Sequence, residues 1–219
     1  MHIWTILLAS GQGTRISGQK IKKQFLPWKN RPLYWHSAQT FAAVPRIKGL
    51  TVTLPPDEAE TRQAELASFW KRDALGLEYT ACVGGASRQE SVRKALSQLP
   101  PECSHVLIHD AARPFIRPHL VQQVIDSLAS GAVAAIPSLP VTDTIKERIE
   151  GHRLQTLDRN RLFAVQTPQG FARNIICQAH SLAVADGWHG TDDAALVERM
   201  DYPVQLIPGQ KDNIKITTD

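Results

Sequence analysis

The sequence predicts a three-layer α/β fold, in which helices cover both faces of a mainly parallel sheet. Short apolar runs rich in β-branched residues alternate along the chain with segments of helical periodicity, which is the pattern that such a fold produces. The predicted strands are 3–9, 49–54, 78–83, 105–110 and 132–137, with three more near 162–166, 203–207 and 213–217. The predicted helices are 33–43, 56–72, 89–98, 118–129, 173–185 and 192–199.

Start signals support several of these helices in order along the chain. The pair Pro55-Pro56, followed by two acidic residues, opens the second helix, because proline suits the first turn and negative charge favours a helix N-terminus. Pro118 stands in the first turn of the fourth helix. Asp192 and Asp193 precede the apolar run of the last helix, so we interpret them as helix-start residues that compensate the helix dipole rather than as a metal-binding pair.

Residues 138–164 interrupt the alternation of strands and helices. Their charges are scattered and Glu150-Gly151 lies near the middle, which predicts an extended β-hairpin that leaves the body of the fold as an arm. Such an arm often reaches a neighbouring subunit. At 219 residues, the chain is expected to form a single domain over 1–219 that carries this arm.

Composition and charge narrow the class of protein. With 42% hydrophobic and 21% charged residues, and no apolar run near the roughly 20 residues of a membrane span, we expect a soluble chain. The N-terminus shows no basic leader or cleavage pattern, which favours a cytoplasmic location. Three widely spaced cysteines without a C-x-x-C pair suggest neither a disulfide framework nor a zinc site. The net charge of +4 favours anionic partners, either a phosphorylated metabolite or nucleic acid.

The loop after the first strand has the composition of an anion-binding loop. Residues 7–25 read LLASGQGTRISGQKIKKQF, so a G-x-G turn is followed by Arg15 and three lysines. It is not a dinucleotide-binding fingerprint, which needs a small residue at Ile16, nor a P-loop, because Gln19 and Lys20 stand where lysine and a hydroxyl residue belong. Backbone N–H groups together with several cations would suit a triphosphate. Taken alone, the motif is more typical of a glycine turn with solvated surface lysines, because glycine turns are common.

Further motifs follow this loop in order. They are KQF at 23–25, GGASRQESV at 84–92, HDAARPF at 109–115, PVTDTIK at 140–146, LDRNRLFAVQTPQGF at 157–171, TDDAALVE at 191–198 and NIKITT at 213–218. In this order and spacing the sequence resembles the 2-C-methyl-D-erythritol 4-phosphate cytidylyltransferase family of non-mevalonate isoprenoid biosynthesis, from about residue 3 to residue 218. The resemblance implies a Rossmann-like nucleotidyltransferase fold with a protruding β-hairpin arm.

The activity that the resemblance implies is transfer of CMP from CTP to the phosphate of methylerythritol phosphate, with release of pyrophosphate and with Mg2+ on the triphosphate. This displacement brings one anion to another, so catalysis is mostly positioning and electrostatic stabilisation. By resemblance, Arg15 and Lys23 stabilise the transition state and Lys215 helps to hold the reacting phosphates. The complete set of cations assigned as catalytic is Arg15, Lys23, Arg159 and Lys215.

Lys22 departs from the family pattern, in which a proline usually precedes the catalytic Lys-Gln pair. Two adjacent lysines therefore compete for one role. We assign the role to Lys23, because Gln24 and an aromatic residue follow it. Lys20 and Lys22 are interpreted as surface charges that attract the substrate.

The resemblance also implies a cytidine pocket. Cytosine offers an amino donor beside acceptor atoms, so its selection needs hydrogen bonds rather than charge. The nucleotide-binding residues that match the family are Ala9, Ser10, Gly11, Gly13, Gly84, Gly85, Ser91 and Ala111. Without the family, Ser91 is equally well a helix-start serine with a local hydrogen bond, and Arg88 either binds phosphate or pairs with Glu90.

Asp110 ends a predicted strand, at the edge where open α/β sheets bind ligands. By resemblance, Asp110 and Arg113 lie on the substrate side, and Asp110 is the residue expected to approach a metal that the triphosphate mainly holds. From sequence alone the two residues could instead form an ion pair at a turn. His109 is interpreted as structural, because the nucleophile is a phosphate oxygen that is already deprotonated at neutral pH.

The arm contributes to the acceptor side of the site by resemblance. Thr144 and Arg159 match residues that grip methylerythritol phosphate from the partner subunit, so a homodimer through the arm is expected. The motif QTPQGF is expected to shape the neighbouring turn, with Thr167 as a secondary contact. The expected partners are therefore CTP, a sugar-alcohol phosphate and a second copy of the chain, with no nucleic acid and no membrane.

Three alternative functions fit part of the sequence. A ribitol 5-phosphate cytidylyltransferase shares the glycine loop, Lys-Gln and QTPQ, but usually carries Ser-Val where this chain has Ala111-Ala112. A glycosyltransferase of similar architecture needs a metal-binding D-x-D, which does not occur in the sequence. A non-catalytic module that binds nucleotide or nucleic acid is disfavoured, because aromatic residues are not interleaved with a basic stripe.

The sequence ends at Asp219, shortly after NIKITT, whereas relatives usually continue into a terminal helix. We therefore expect either a shortened terminus or a boundary at 219 with a fused cyclodiphosphate synthase, which acts later in the same pathway. Such fusions occur in some bacteria.

Overall fold

The computed structural model of the protein describes residues 1–11, 21–151 and 153–217. In this part of the chain a central eight-stranded sheet carries helices on both faces. The strands are β1 (Ile3–Leu8), β2 (Pro27–Trp28), β3 (Arg31–Pro32), β4 (Ile47–Leu54), β5 (Glu78–Val83), β6 (His105–Asp110), β7 (Ala134–Pro140), β8 (Lys146–Arg148), β9 (Leu154–Thr156), β10 (Phe163–Val165), β11 (Gln169–Ala172) and β12 (Gln205–Pro208). The α-helices are α1 (Leu33–Ala42), α2 (Ala59–Asp73), α3 (Arg88–Leu96), α4 (Pro118–Ala129), α5 (Arg173–Ala185) and α6 (Asp193–Glu198). Single turns of 3₁₀-helix lie at Lys23–Phe25, Pro56–Glu58 and Arg159–Arg161.

The strand order brings the ends of β1 and β6 side by side in the middle of the sheet. The order is β10-β7-β11-β6-β1-β4-β5, and β12 pairs with β7. The pairs β6–β1, β1–β4 and β4–β5 are parallel, and Leu8 lies opposite Asp110 where β1 and β6 end. Because parallel neighbours end at the same edge of a sheet, the segments that follow β1, β5 and β6 lie close together.

Each face of the sheet has its own hydrophobic core. Helices α1, α2 and α4 cover one face, where Trp35 and Val121 are fully buried. Helices α3, α5 and α6 cover the other face, where Val92, Ile176 and Val197 are fully buried. Strands buried on both faces read as continuous apolar runs rather than as alternating ones, which is what the sequence shows. The predicted three-layer fold is confirmed.

Two segments next to β6 differ from the predictions. The motif QTPQGF does more than shape a turn, because its second half is β11, which runs antiparallel between β6 and β7. The strand predicted at 213–217 is wrong, because this segment has no regular secondary structure. It lies against the loop after β6 instead of a strand edge, and the Ile216 N–H donates to the Ala112 carbonyl at 2.8 Å.

The predicted arm is a β-hairpin. Strands β8 and β9 pair antiparallel, with Lys146 opposite Thr156, and Gly151 takes a positive φ of 68° in the turn between them. Strand β7 runs on to Pro140 and β10 begins at Phe163, so the segment outside the main sheet is 141–162, slightly shorter than the predicted 138–164.

Within the described ranges, no helix combines the length and apolar character that crossing a membrane requires. The thiols of Cys82, Cys103 and Cys177 are all free. Burial raises the pKa of each of these thiols, so all three are protonated at neutral pH.

Candidate active site

Asp110 is the centre of a charged cluster at the carboxyl end of β6. Its Oδ1 lies 3.3 Å from Arg88 Nε and its Oδ2 lies 2.7 Å from Lys215 Nζ. Burial alone would raise the pKa of Asp110, but the charges of Arg88 and Lys215 outweigh burial and hold this pKa well below its ordinary value. Asp110 is therefore ionised at neutral pH and is shared by two cations.

The partners of Arg88 differ from those expected. Its NH1 donates to Asp193 Oδ2 at 2.7 Å, so the guanidinium bridges Asp193 and Asp110. Glu90 accepts the N–H of Ala86 at 2.8 Å and lies 3.4 Å from Lys94. Of the two roles considered for Arg88, the pair with Glu90 is wrong, because the guanidinium turns inward to the two carboxylates instead of outward along the helix. The phosphate contact stays a prediction.

Lys215 is held by contacts of its own segment with the loops after β6 and β10. Asn213 is fully buried, and its Nδ2 donates to the Thr167 carbonyl at 2.9 Å. The guanidinium of Arg113 donates to the Asn213 carbonyl at 2.8 Å and reaches the Val165 carbonyl at 3.4 Å. Arg113 therefore braces the backbone that carries Lys215, and the cations that pair with Asp110 are Arg88 and Lys215.

The two glutamines of the QTPQ motif attach the two segments that reach Asp110. Gln166 Nε2 donates to the Gln210 carbonyl at 2.8 Å, which fixes the chain before Lys215. Gln169 Nε2 donates to Asp192 Oδ2 at 2.7 Å, which fixes the start of α6. Asp192 also caps this helix, since its Oδ1 accepts the Ala195 N–H at 2.9 Å, as its helix-start assignment predicts.

His109 is fully buried and has a hydrogen-bond partner at each ring nitrogen. Its Nε2 lies 3.1 Å from the Arg113 carbonyl, which can only accept, so Nε2 carries the proton. Nδ1 then accepts from the Thr167 hydroxyl at 3.0 Å, and the hydroxyl oxygen accepts the N–H of Asp110 at 3.1 Å. Burial lowers the pKa of His109 to about 4, so it is neutral at pH 7. His109 thus fixes Thr167 and the backbone of Asp110, in agreement with its structural interpretation.

Four of the residues predicted to bind nucleotide lie together at the ends of β1 and β5. Ser10 Oγ donates to Ser91 Oγ at 3.0 Å, and the Gly85 N–H donates to the same oxygen at 3.0 Å. The Ser91 hydroxyl donates to the Ser87 carbonyl at 2.9 Å, which is a local bond within the helix. The residue that caps α3 is Ser87, whose Oγ accepts the Glu90 N–H at 3.0 Å, so the helix-start alternative for Ser91 is wrong. A Cβ on Gly84 would lie 2.2 Å from the Cβ of Ser10, so only glycine fits at this approach.

Lys23 and Gln24 connect the end of the loop to both sides of the site. Lys23 Nζ donates to the Ile216 carbonyl at 3.0 Å, next to Lys215 in the chain. Gln24 is buried, and its Nε2 donates to the carbonyls of Ala9 at 2.8 Å and Gly11 at 2.7 Å. The side chain of Gln24 therefore fixes the backbone that follows β1, a role that the sequence motif alone did not reveal.

Lys22 is not a free surface charge. Its Nζ lies 2.5 Å from Asp57 and 3.0 Å from Glu58, at the start of α2, and the side chain is only 11% exposed. The interpretation of Lys22 as a charge that attracts substrate is therefore wrong. Its charge is neutralised by two carboxylates, whereas Lys23 reaches the segment of Lys215.

The remaining predicted residues are placed as follows. Gly13 and Arg15 lie outside the described residues, as does Lys20. Ala111 is buried directly after β6, and its N–H donates to the Leu8 carbonyl at 3.1 Å. Thr144 and Arg159 are exposed on the arm, where Arg159 NH1 donates to the Thr142 carbonyl at 2.8 Å. The structure thus assembles the nucleotide-side and Asp110-side residues in one region, whereas the arm residues are described only within the arm.

Comparison of the whole chain with known proteins identifies its family. The family model described as IspD, 2-C-methyl-D-erythritol 4-phosphate cytidylyltransferase, matches residues 3–219. The chain belongs to this family. The resemblance inferred from seven sequence motifs is therefore confirmed.

Family members of two lengths are similar to the chain. The bifunctional enzyme IspD/IspF of Nitratidesulfovibrio vulgaris (strain DP4) is 46% identical, over 100% of this chain and 56% of that protein. The 2-C-methyl-D-erythritol 4-phosphate cytidylyltransferase of Solibacter usitatus is 37% identical, over 99% of this chain and 91% of that protein. The chain thus spans only a little over half of the bifunctional relative.

A solved family structure has the same fold. The crystal structure of 4-diphosphocytidyl-2C-methyl-D-erythritol synthase from Anaerococcus prevotii matches with a TM-score of 0.85 and 25% identity, covering 99% of this chain and 93% of that one. The predicted Rossmann-like nucleotidyltransferase fold is confirmed.

The environment of His109 predicts a specific dependence of stability on pH. The folded-state pKa of about 4 lies below the ordinary value of 6.5, so the unfolded chain takes up this proton first as the pH falls. Stability is therefore lost as the pH falls from about 6.5 to about 4, by roughly 3 kcal/mol for the full shift. His109→Gln, which keeps a donor toward the Arg113 carbonyl, should flatten the profile of unfolding free energy against pH, measured by denaturant titration.

The matched control is His119→Gln, because His119 is exposed on the surface. This variant should keep the wild-type profile of unfolding free energy against pH. An unchanged slope in His109→Gln would show that His109 does not control this part of the pH dependence.

Proposed function

We propose that the protein transfers CMP from CTP to 2-C-methyl-D-erythritol 4-phosphate, which yields 4-diphosphocytidyl-2-C-methyl-D-erythritol and pyrophosphate. Family membership supports this activity. The observation within the fold that supports it is the Asp110 cluster, which includes Lys215 at the end of β6, while Ser10 and Ser91 meet after the neighbouring strand β1. The cations suit the phosphates of a nucleotide and of a charged acceptor, and the hydrogen-bonding groups around Ser10 and Ser91 suit the base.

The proposed reaction needs positioned cations more than a base. A phosphate oxygen of the acceptor attacks the α-phosphorus of CTP, and the bond to the departing pyrophosphate breaks. Both reactants are anions, so Lys23 and Lys215 would reduce their repulsion and stabilise charge on the α-phosphate. The contact of Lys23 with the Ile216 carbonyl keeps the two lysines near each other. Arg15 stays a prediction for the same role.

Mg2+ is part of the proposal. Among the described residues no group of three or more His, Cys, Asp or Glu side chains could hold a metal ion. Mg2+ usually binds one or two carboxylates together with substrate phosphates, so the single carboxylate of Asp110 fits an ion that the triphosphate mainly holds. The ion would neutralise charge on the phosphates, and Asp110 would orient it from the protein side.

We further propose that the active unit is a homodimer formed through the arm. Thr144 and Arg159 are exposed there, and the apolar side chains of Ile149 and Leu154 are exposed on the same hairpin. A partner that covers the arm would bury this apolar surface and bring Arg159 to an acceptor phosphate. The cytoplasmic location and the fused cyclodiphosphate synthase stay predictions; the bifunctional name of the Nitratidesulfovibrio vulgaris relative supports the second.

The first experiment measures pyrophosphate release from CTP and Mg2+ with methylerythritol 4-phosphate, with ribitol 5-phosphate in parallel. We expect turnover of the first acceptor and at most a trace with the second, because family membership favours the isoprenoid acceptor. ATP in place of CTP is the nucleotide control and should give no product. Preference for ribitol phosphate would overturn the acceptor assignment, and salt-sensitive RNA binding without turnover would revive a binding module.

The two adjacent lysines offer a matched pair of variants. Lys23→Met should lower kcat by about 100-fold or more, because it removes a cation from the reacting phosphates. Lys22→Met should change kcat by less than about threefold, since its charge is already neutralised by Asp57 and Glu58. The measurement is steady-state kinetics of both variants, with thermal unfolding as the control for folding. A larger loss of kcat in Lys22→Met than in Lys23→Met would transfer the catalytic assignment to Lys22.

A shared site makes a quantitative prediction for mixed subunits. Lys23→Met and Arg159→Ala should each be nearly inactive, but unfolding and refolding them together at equal concentration should restore about a quarter of the wild-type rate. Half of the dimers would be mixed, and one of their two sites would combine an intact Lys23 with an intact partner arm. A mixture that stays inactive would show that Arg159 acts within its own subunit.

A further inference from the structure

We propose that Arg88 is a positioning residue for Asp110, and that buried Asp193 and His180 hold Arg88 in place. For its kinetic consequences, the inference rests on the proposed function. It gives Arg88 a role different from the phosphate contact and the Glu90 pair considered from the sequence, and it gives Asp193 and His180 a role that the reaction chemistry does not require.

The contact between Arg88 and Asp110 fixes one side of the carboxylate. Arg88 Nε lies 3.3 Å from Oδ1, while Lys215 Nζ lies 2.7 Å from Oδ2. The backbone of Asp110 is fixed as well, because its N–H donates to Thr167 Oγ1 at 3.1 Å. With the backbone and Oδ1 held, the rotation of the carboxyl group is defined, and Oδ2 is the oxygen presented to Lys215.

Arg88 is itself held from behind. Its NH1 donates to Asp193 Oδ2 at 2.7 Å, and Asp193 Oδ1 accepts from His180 Nε2 at 3.1 Å. The side chains of Asp193 and His180 are 1% and 2% exposed, so neither can replace its partner in the protein with a hydrogen bond to bulk water. Burial would raise the pKa of Asp193, but the charge of Arg88 outweighs it and keeps Asp193 ionised.

The chemistry of the guanidinium explains why this position needs arginine. Its fork of fixed N–H groups can bond two carboxylates at a set angle, whereas a lysine ammonium is a point charge on a flexible stem. One cation between Asp110 and Asp193, with Lys215 beyond, also balances the two buried negative charges. Removing the guanidinium would leave a fully buried carboxylate without its counter-ion, which is strongly unfavourable.

The position of Arg88 in the fold gives this chain of contacts a further effect. Arg88 is the first residue of α3, and Ser91 lies one turn later in the same helix. The first turn of α3 therefore contacts both parts of the site, because Ser91 contacts Ser10 and Arg88 contacts Asp110. A shift of Arg88 changes the distance between the two halves of the site, and displacements of about 1 Å can cost about 100-fold in rate.

The test uses Arg88→Lys and Arg88→Met, with Arg93→Met as the control. Arg93 is exposed on the same helix, so its substitution should leave both structure and kinetics unchanged. Crystal structures of the two Arg88 variants should show the Asp110 carboxylate rotated, so that Oδ2 no longer faces Lys215 in the wild-type geometry. Arg88→Lys keeps the positive charge, so it is the variant that decides the question if Arg88→Met is too unstable to fold.

Kinetics supplies the readout that a merely structural residue would not give. Arg88→Lys should lower kcat by about tenfold or more with little change in the KM for CTP. In an Asp110→Asn background the same substitution should cost less than about twofold, because Arg88 acts through Asp110. The inference would be overturned if the kcat losses of Arg88→Lys and Asp110→Asn multiplied in the double variant. It would also be overturned if Asp110 and Lys215 superposed on their wild-type positions in both Arg88 variants.

The two proposals fail in different ways. If the wild-type protein does not turn over CTP, the proposed function is wrong, whereas the crystal structures still decide whether Arg88 positions Asp110. If the wild type turns over CTP and Asp110 is unmoved in Arg88→Lys, the activity stands and the positioning role of Arg88 is lost.

Discussion

The site depends on keeping one buried carboxylate ionised at the end of a central strand. Burying an unpaired charge is strongly unfavourable. Asp110 is stabilised as a carboxylate because Arg88 contacts one of its oxygens and Lys215 contacts the other. Both cations come from segments distant in the chain, so each must be held by other contacts before it can pair. Much of the polar structure around the sheet edge supplies those contacts.

The QTPQ motif shows how the fold meets this demand with few residues. Gln169 belongs to β11 inside the sheet, and Gln166 precedes it on the same backbone. Gln169 fixes the start of α6, which leads through Asp193 to Arg88, and Gln166 fixes the chain that leads to Lys215. One short segment thus contacts both of the chain regions that supply the cations paired with Asp110.

The sequence predicted what local periodicity and turn chemistry control, and it failed where long-range contacts decide. Helix α4 matched its predicted bounds, because an apolar period and Pro118 act within one segment. Strand β11 was missed because four residues that include a glycine show no periodicity, and antiparallel neighbours supply its stability. For Arg88 the sequence offered only nearby Glu90 as a partner within the chain, whereas its partners are 22 and 105 residues away. The family motifs pointed to Asp110 and Lys215 as candidate site residues, but the pairing between them could not be read from their spacing.

The same pairing bears on how a phosphate could recruit Lys215. In the proposed reaction an acceptor phosphate would compete with Asp110 for the ammonium of Lys215. If Asp110 had no other counter-ion, releasing the lysine would leave its buried charge unpaired. Arg88 would remove this obstacle, because its contact with Oδ1 is separate from the contact of Lys215 with Oδ2. A flexible lysine next to a carboxylate with a second, fixed cation can therefore exchange partners at low cost. A lysine that was the sole partner of Asp110 would be bound too strongly to serve a substrate.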